Sequence, residues 1–155
     1  MSRFAICALV LLILAIGAVQ VKAARATASR PAATIQVFPG ANAIRKALKN
    51  ANPGDTLNIH AGTYNEAVRV RKDNLTLESA GDGEVIVDNE CNSDTTINLE
   101  AEGITIKGLT VRGAGEYDIN IIGIDRAVIR QNMVESTCPA AEYGVNVNSS
   151  GATTV

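Results

Sequence analysis

The chain alternates apolar and polar residues in four short triplets that recur at similar distances. They read VRV at residues 68–70, INL at 97–99, INI at 119–121 and VNV at 145–147, and their starts are 29, 22 and 26 residues apart. Each triplet predicts a short β-strand with its outer side chains buried and its middle side chain facing water. Recurrence at roughly 20 to 50 residues is typical of repeat architectures, so we expect about four stacked coils.

Two further short strands follow the triplets at matching positions. The second strand is predicted at 75–77, 104–106 and 127–129, and the third at 85–87, 109–111 and 132–134. No helical period appears after residue 51, which argues against an α/β fold, and a β-sandwich would not require equivalent triplets in register. Three strands per coil therefore predict an all-β, triangular, single-stranded parallel β-solenoid.

A short amphipathic helix precedes the coils, after a first strand predicted at 34–38. Asn42 is placed to cap this helix, and Asn52-Pro53-Gly54 is placed to end it. Apolar residues at helical spacing give the helix one buried face: Ile44, Ala47, Leu48 and Ala51. Because the open end of a stack of coils exposes core side chains and strand edges, we interpret residues 34–54 as an N-terminal cap.

Residues 1–23 have the pattern of a secretory signal peptide. Arg3 gives a positive start, an apolar run covers residues 4–19, and Val21 and Ala23 are small residues at the −3 and −1 positions of a cleavage site. The small and polar residues at 24–33 predict a flexible leader. We therefore expect residues 34–155 to form one exported domain, secreted or periplasmic, without a membrane anchor after cleavage.

Composition and charge narrow the function classes. Hydrophobic residues make up 46% of the chain but aromatic residues only 3%, which suits the narrow interior of a solenoid. The formal net charge is −2, and the sequence shows no cluster of basic residues. We therefore expect no nucleic-acid partner, because phosphate backbones are bound by clustered Lys and Arg. A mildly acidic surface is compatible with a glycan partner.

Two cysteines remain after the predicted leader, Cys91 and Cys138. Positions stacked two coils apart would be separated by roughly 9.6 Å, more than the Cα–Cα reach of a disulfide, about 6.8 Å. Both cysteines nevertheless lie in long connections, at 88–96 and 135–144, and the connection between them at 113–118 is short. Since the long loops can meet over the short one, we hypothesise a Cys91–Cys138 disulfide, in keeping with export.

The segment at 43–66, AIRKALKNANPGDTLNIHAGTYNE, combines a short helix, Pro-Gly-Asp-Thr, a strand, Gly-Thr-Tyr and an acidic residue. This order resembles the opening of secreted right-handed parallel β-helix proteins of the pectate-lyase-like superfamily. Residues 73–88 and 103–113 resemble the repeats of that superfamily. The resemblance implies a right-handed coil but no single activity, because lyases, hydrolases, epimerases, esterases and non-catalytic binders share the scaffold.

The same resemblance bears on length. Members of the superfamily usually have more coils, and this chain ends where the second strand of the fourth coil is expected. We therefore expect either a fragment of a longer protein, with further coils missing, or a short solenoid whose open C-terminal end is covered by a partner.

The middle residues of the four triplets form the candidate binding site. Arg69, Asn98, Asn120 and Asn146 are expected to stack in one outward row, about 4.8 Å apart. In members of the superfamily that act on polysaccharides, such a face often carries the groove. The alternative is a solvated amide ladder that only stabilises the stack, and we favour this alternative.

Asp118, directly before the third triplet, is the candidate catalytic residue. A lyase needs a base for the proton next to a uronate carboxyl and a cation, often Ca²⁺ or Arg or Lys, for the developing charge. No acidic pair has diagnostic spacing, and His60 has no adjacent Ser or Cys nucleophile, so we interpret it as a turn or edge residue. We predict no metal site and no cofactor, and Ca²⁺ enters only through the resemblance.

These patterns lead us to expect a secreted, carbohydrate-interacting β-helix domain with polysaccharide as its partner and no identifiable catalytic set. Two alternatives stay open. One is a polysaccharide-modifying enzyme of lyase, C5-epimerase or hydrolase type with catalytic residues missing or beyond Val155, and the other is a structural or adhesive surface module. Outward aromatic rings would favour binding, and Tyr117 and Tyr143 are available for it.

Overall fold

A computed structural model of the chain describes residues 30–139, 143–148 and 151–155. The elements of these residues are one helix, α1 (Ala43–Asn50), and short strands. The strands are β1 (Thr34–Val37), β2 (Thr56–Ile59), β3 (Gly62–Asn65), β4 (Val68–Val70), β5 (Thr76–Ser79), β6 (Val85–Asp88), β7 (Thr95–Leu99), β8 (Thr105–Lys107), β9 (Thr110–Arg112), β10 (Tyr117–Ile122), β11 (Val128–Arg130), β12 (Met133–Glu135) and β13 (Tyr143–Asn148).

The strands form three parallel sheets. One sheet has the order β1-β2-β5-β8-β11, the second β3-β6-β9-β12, and the third, which we name the ladder sheet, β4-β7-β10-β13. Because consecutive strands of each coil belong to different sheets, the chain winds as an all-β parallel β-solenoid, as predicted. It has about five turns, since β1 pairs with β2 as a further layer before the first triplet.

The four triplets align in the ladder sheet with the predicted register. Val68 pairs with Ile97, Ile97 with Ile119, and Ile119 with Val145. Ile97 and Ile119 have no exposed surface, and they belong to the single hydrophobic core that runs through the stack. Full burial of such a side chain contributes about 1.5–3 kcal/mol, so the ladders of Val, Ile and Leu hold the coils together.

The N-terminus of α1 is capped by a residue from the following coil. Both carboxylate oxygens of Glu66 accept backbone hydrogen bonds, one from the N–H of Ile44 and one from the N–H of Arg45, each at 3.0 Å. Asn42 makes no side-chain cap bond and has a left-handed backbone, with φ 53°. The prediction that Asn42 caps the helix is therefore wrong, because a capping side chain is aimed correctly from an extended backbone.

The C-terminus of α1 is bound by Lys72. The Lys72 Nζ donates to the carbonyl oxygens of Leu48 at 2.9 Å, Lys49 at 2.7 Å and Ala51 at 2.6 Å. The last carbonyl groups of a helix have no partner within it, and their partial negative charge favours a cation. With Ile44, Ala47 and Leu48 buried in the core, α1 is fixed along one face and at both ends.

Two polar side chains, the buried Tyr64 and the half-buried Asn132, satisfy backbone groups at the bends between sheets. The Tyr64 ring has no exposed surface, and its hydroxyl lies 3.0 Å from the Val37 oxygen and 2.8 Å from the His60 oxygen. Asn132 accepts from the Leu109 N–H at 2.9 Å and donates to the Ile106 oxygen at 3.0 Å. Each side chain thereby joins neighbouring coils, since a buried unpaired backbone group is costly.

The structure contains the hypothesised Cys91–Cys138 disulfide, with a Cα–Cα distance of 5.8 Å. The loop after β6 bends over the turn that follows β9, and the Cys91 N–H donates to the Gly113 oxygen at 2.8 Å. Gly113 has φ +82°, and a Cβ there would lie 2.7 Å from the Glu90 nitrogen, so only glycine permits this approach. The close contact at Gly113 brings the two long loops within reach of each other.

The predicted signal peptide, residues 1–23, and residues 24–29 of the predicted leader lie outside the described residues. Ala33, which we assigned to the flexible leader, is bound at both polar backbone groups. Its N–H donates to Asp55 Oδ1 at 2.8 Å and its oxygen accepts from the Thr56 N–H at 2.8 Å. Among the described residues, none of the helices has the length and hydrophobicity needed to cross a membrane.

Candidate functional site

The predicted polar row lies in register across the ladder sheet. Arg69 pairs with Asn98, Asn98 with Asn120, and Asn120 with Asn146. The amides bond along the row: Asn120 Nδ2 donates to Asn98 Oδ1 at 3.2 Å, and Asn146 Nδ2 donates to Asn120 Oδ1 at 2.8 Å. The structure thus brings all four predicted residues together as an amide ladder with Arg69 at one end.

The three amides of the ladder differ in their exposure to solvent. Asn120 is only 8% exposed, because it is bonded to an amide on each side, so the expectation that it faces water is wrong. Asn98 and Asn146 are half-buried, and Asn98 also donates to Glu100 Oε1 at 2.8 Å. An amide has two donor protons and two acceptor lone pairs. Beyond these bonds Asn98 keeps one proton and one lone pair, and Asn146 keeps one proton and two lone pairs, for further partners.

Two tyrosines lie at the starts of β10 and β13, the strands that also carry Asn120 and Asn146. Tyr117 and Tyr143 are in register on β10 and β13, and their rings stack with centroids 5.7 Å apart and planes 17° apart. Tyr143 is 56% exposed. An exposed ring held by a second ring is a rigid surface with an apolar face and a polar hydroxyl.

Asp118 lies on β10 next to this pair but has no exposed surface. Its Oδ1 accepts from the Ala114 N–H at 3.2 Å, and its Oδ2 has no hydrogen-bond partner among the described residues. Burial raises the pKa of Asp118, and the hydrogen bond from the Ala114 N–H opposes this effect. A general base must contact its substrate, and the burial of Asp118 gives its predicted catalytic role no support.

An ion-paired arginine lies near Asp118. The Arg112 Nε is 2.7 Å from Asp88 Oδ2, and the Arg112 Nη1 is 3.5 Å from Glu135 Oε2. The hydrogen bond to Asp88 raises the pKa of Arg112, and the Asp88 charge also raises the pKa of Asp118. Since Arg112 is bound by two carboxylates, it serves as a bridge across β6, β9 and β12.

His60 follows β2 at the edge where we expected it. Its Nδ1 lies 2.7 Å from Asp82 Oδ2, its Nε2 lies 2.8 Å from Gln36 Oε1, and its ring stacks on Phe38 at 4.1 Å. The hydrogen bond to His60 lowers the pKa of Asp82. With both ring nitrogens bonded to other side chains, the imidazole connects neighbouring coils rather than presenting a free nitrogen to a ligand.

The structure also contains a site that the sequence did not indicate. A cleft of about 640 Å³ lies where α1 packs beside β4, and five cationic side chains line it, together with Leu48, Ala67 and Leu75. We name it the basic cleft; its cations are Arg45, Lys49, Arg69, Arg71 and Lys72. The expectation that basic residues are not clustered is therefore wrong.

The basic cleft was missed because its parts are distant in sequence. Lys49 and Arg69 are 20 residues apart, and only the packing of α1 on the first coil brings them together. The sequence does contain a hint of the cluster. Arg45 and Lys49 lie outside the predicted buried face of the helix, and Arg69 is the outward member of the first triplet. Placing the helix against that triplet would have found the cluster.

Metal binding finds no support in the parts of the chain that the structure describes. Within residues 30–139, 143–148 and 151–155, no group of three or more His, Cys, Asp or Glu side chains is placed to hold a metal ion. The Ca²⁺ that the family resemblance would allow therefore has no ligand set in this region.

The fold and these sites were compared with known proteins in three ways. The chain matched no family model, no curated protein and no solved structure.

Proposed function

We propose that this chain is an exported, right-handed parallel β-helix domain that binds polysaccharide along its ladder sheet. In this proposal the domain belongs to the pectate-lyase-like superfamily, and α1 covers the first coil as a cap. Three features support it: the parallel three-sheet solenoid, the Cys91–Cys138 disulfide, which suits an oxidising compartment, and the Pro-Gly-Asp-Thr and Gly-Thr-Tyr motifs.

The stacked tyrosine pair carries the proposal. Sugar rings present faces of C–H groups with hydroxyls at their edges, and an exposed tyrosine offers a matching apolar face with a polar edge. Tyr143 is exposed and is held by Tyr117 on the neighbouring strand, so it loses little conformational entropy on binding. An exposed aromatic ring is the feature that distinguishes a sugar-binding module from a purely structural one, and Tyr143 supplies it.

The amide ladder is a second candidate surface on the same strands. Side chains three residues apart on a strand project from opposite faces, so the ladder does not continue the tyrosine surface. Asn146 is three residues from Tyr143 on β13, or about 10 Å along the strand. From Asn146 to Arg69 the row crosses four strands, about 14 Å at 4.8 Å per strand. The remaining amide donors and acceptors suit sugar hydroxyls, so the ladder offers a glycan polar contacts in addition to the ring of Tyr143.

A structural module is the second candidate, and one observation favours it. The three ladder amides are bonded to one another at 3.2 and 2.8 Å, and Asn120 is almost buried. In this case the row only stabilises the stack of coils. The two functions differ in a simple way: replacing Asn146 with Ala should weaken glycan binding in the first and only thermal stability in the second.

The test is a glycan microarray of neutral and acidic polysaccharides, followed by titration of the hits with Tyr143→Ala. We expect at least one polysaccharide hit and about a tenfold weaker affinity in the variant, as for a central aromatic contact. Phe38→Ala is the matched control, since it removes an exposed ring that stacks on His60 at a different edge. No hit on the array, or an equal loss with Phe38→Ala, would reject the proposal.

A further inference from the structure

We infer that the basic cleft binds a negatively charged sugar unit, bearing carboxylate or sulfate, of an acidic polysaccharide. This inference rests on the proposed function and deepens it by naming the substrate class. The cleft is separate from the tyrosine pair, because it lies at the β4 edge of the ladder sheet and the tyrosines lie on β10 and β13.

The charge balance of the cleft favours an anion. Glu100 is the carboxylate that contacts its arginines, at 2.7 Å from Arg71 Nε and 3.9 Å from Arg69 Nη1. Glu66 lies nearby but is 95% buried and binds the N-terminal N–H groups of α1. Even with both carboxylates counted, the cations outnumber them five to two. Charges of one sign in a concave site focus the field and attract the opposite charge.

The cations differ in their availability. The three protons of Lys72 are directed at three carbonyl oxygens of α1, so it contributes charge and position. Arg69 and Arg71 have side chains that are 64% and 63% exposed, and Lys49 is exposed at the end of α1. A guanidinium group can bind carboxylate or sulfate with two parallel hydrogen bonds. The accessible donors thus fit a compact oxyanion at the rim.

The rest of the lining fits a sugar better than a nucleic acid. Leu48, Ala67 and Leu75 add an apolar wall without an aromatic ring, whereas single-stranded nucleic acids are bound largely by stacking of bases on aromatic side chains. The volume of about 640 Å³ lies within the range of small-molecule pockets, roughly 300–1,000 Å³. The site is a single cleft, and a duplex would require a longer basic track.

Arg69 connects the cleft to the proposed glycan path. It belongs both to the lining of the cleft and to the row with Asn98, Asn120 and Asn146. A polysaccharide that lies across the ladder therefore reaches the cleft at the β4 edge. In this arrangement the ladder amides contact hydroxyls of the glycan, and the cleft selects a charged unit at the Arg69 end of the row.

The test uses the full chain and four probes of similar length: a galacturonic acid hexamer, a heparin-derived hexasaccharide, cellohexaose and a 12-nucleotide single-stranded DNA. Dissociation constants are measured by calorimetry at low and at physiological salt. The variant is Arg45→Gln with Lys49→Gln, on exposed positions of α1. The control is Lys46→Gln, which removes one positive charge from an exposed position of the same helix outside the cleft.

We expect an acidic hexasaccharide to bind more tightly than cellohexaose, and to bind about tenfold more weakly to the double variant. Lys46→Gln should change the dissociation constant less than twofold. If the double variant loses its native circular dichroism, Arg69→Gln tests the same cleft from an exposed strand position.

The other outcomes overturn the inference in distinguishable ways. Binding of cellohexaose and the acidic glycans with equal affinity, unchanged in the double variant, rejects the cleft but leaves the proposed function intact. Binding of none of the glycans rejects both. DNA binding tighter than glycan binding, and lost in the double variant, assigns the cleft to nucleic acid instead.

Discussion

The Glu66 carboxylate and the Lys72 ammonium group bind opposite ends of the same helix, α1. Glu66 accepts two N–H groups at its start, and Lys72 donates to three carbonyl oxygens at its end. The helix dipole has its positive end at the N-terminus and its negative end at the C-terminus. The carboxylate of Glu66 and the ammonium group of Lys72 each lie at the end of opposite charge. Because both residues flank β4, the first triplet strand, the coil and the helix fix each other.

Removal of either end contact should destabilise the protein. Glu66→Gln loses the charge on a buried acceptor of two bonds, and we expect a loss of about 1–3 kcal/mol in the free energy of unfolding. Lys72→Met keeps the length of the side chain but leaves carbonyl oxygens without their donor, at a cost of about 1–2 kcal/mol. Urea unfolding followed by circular dichroism measures both. Lys46→Met is the control and should stay within about 0.5 kcal/mol; equal losses in all three variants would contradict the account.

The disulfide should contribute strongly to stability. It closes a loop of 47 residues, and the chain-entropy relation gives about 4 kcal/mol for a loop of that length. The double variant Cys91→Ala with Cys138→Ala should unfold at a correspondingly lower urea concentration. Intact mass before and after reduction, with alkylation, supplies the independent check. Full labelling of both thiols without reductant would show that the bond does not form.

The titration of Tyr64 should lower the folding stability of the protein at alkaline pH. Burial, followed by the charges of Asp82 and Glu66, raises the pKa of Tyr64 to about 12, whereas a free tyrosine titrates near pH 10. The unfolded chain therefore loses this proton first. The stabilising effect of the neutral hydroxyl is complete below about pH 10 and is lost as the pH rises toward about 12.

The measurement is the difference in unfolding free energy between the natural chain and Tyr64→Phe as a function of pH. At pH 7 the variant should be less stable by about 1–2 kcal/mol, because the Val37 and His60 oxygens lose the one hydroxyl proton that they share. The difference should shrink between about pH 10 and pH 12. A difference that stays constant over that interval would mean that Tyr64 does not titrate as proposed.

Asp118→Asn should stabilise the protein at neutral pH. Burial raises the pKa of Asp118 in the folded state, so its contribution is most favourable below the unfolded pKa, about 3.9, and is lost as the pH rises through the folded value. The neutral amide removes this penalty. We expect a higher melting temperature for the variant at pH 7 and a gain that shrinks at pH 3.

The control for that experiment is Asp94→Asn, at an exposed carboxylate. It should leave the melting temperature unchanged at both pH values. The same Asp118→Asn protein tests the catalytic alternative: if an acidic glycan is cleaved by the natural chain and not by the variant, Asp118 acts in catalysis despite its burial. A destabilised variant at pH 7 would contradict the proposed charge penalty.

The fold was largely predictable because the same short pattern of apolar and polar residues recurs along the sequence. The triplets at 68–70, 97–99, 119–121 and 145–147 fixed both the strands and their register, since a shift by one residue would turn the apolar side chains outward. Strand β3 (Gly62–Asn65) was not predicted as a strand, because its only buried side chain is Tyr64.

The candidate sites were less predictable because they depend on contacts between distant residues. The cap of α1 comes from Glu66, 22 residues after Ile44, whereas the sequence pattern points to the local residue Asn42. The burial of Asn120 depends on hydrogen bonds to two other coils. The basic cleft depends on how the helix packs on β4. None of these contacts leaves a periodic trace in the sequence.

The disulfide has a consequence for how the solenoid comes apart. In a stack of repeats each coil contacts only its neighbours, so coils can fray one after another. Cys91 follows β6 and Cys138 follows β12, and the turn at Gly113 lies between them. The disulfide joins two coils that are separated by a third. The coil between them therefore cannot unfold separately while the bond is intact. Under mechanical load these layers should therefore release as one unit, and only after reduction should they unravel in steps.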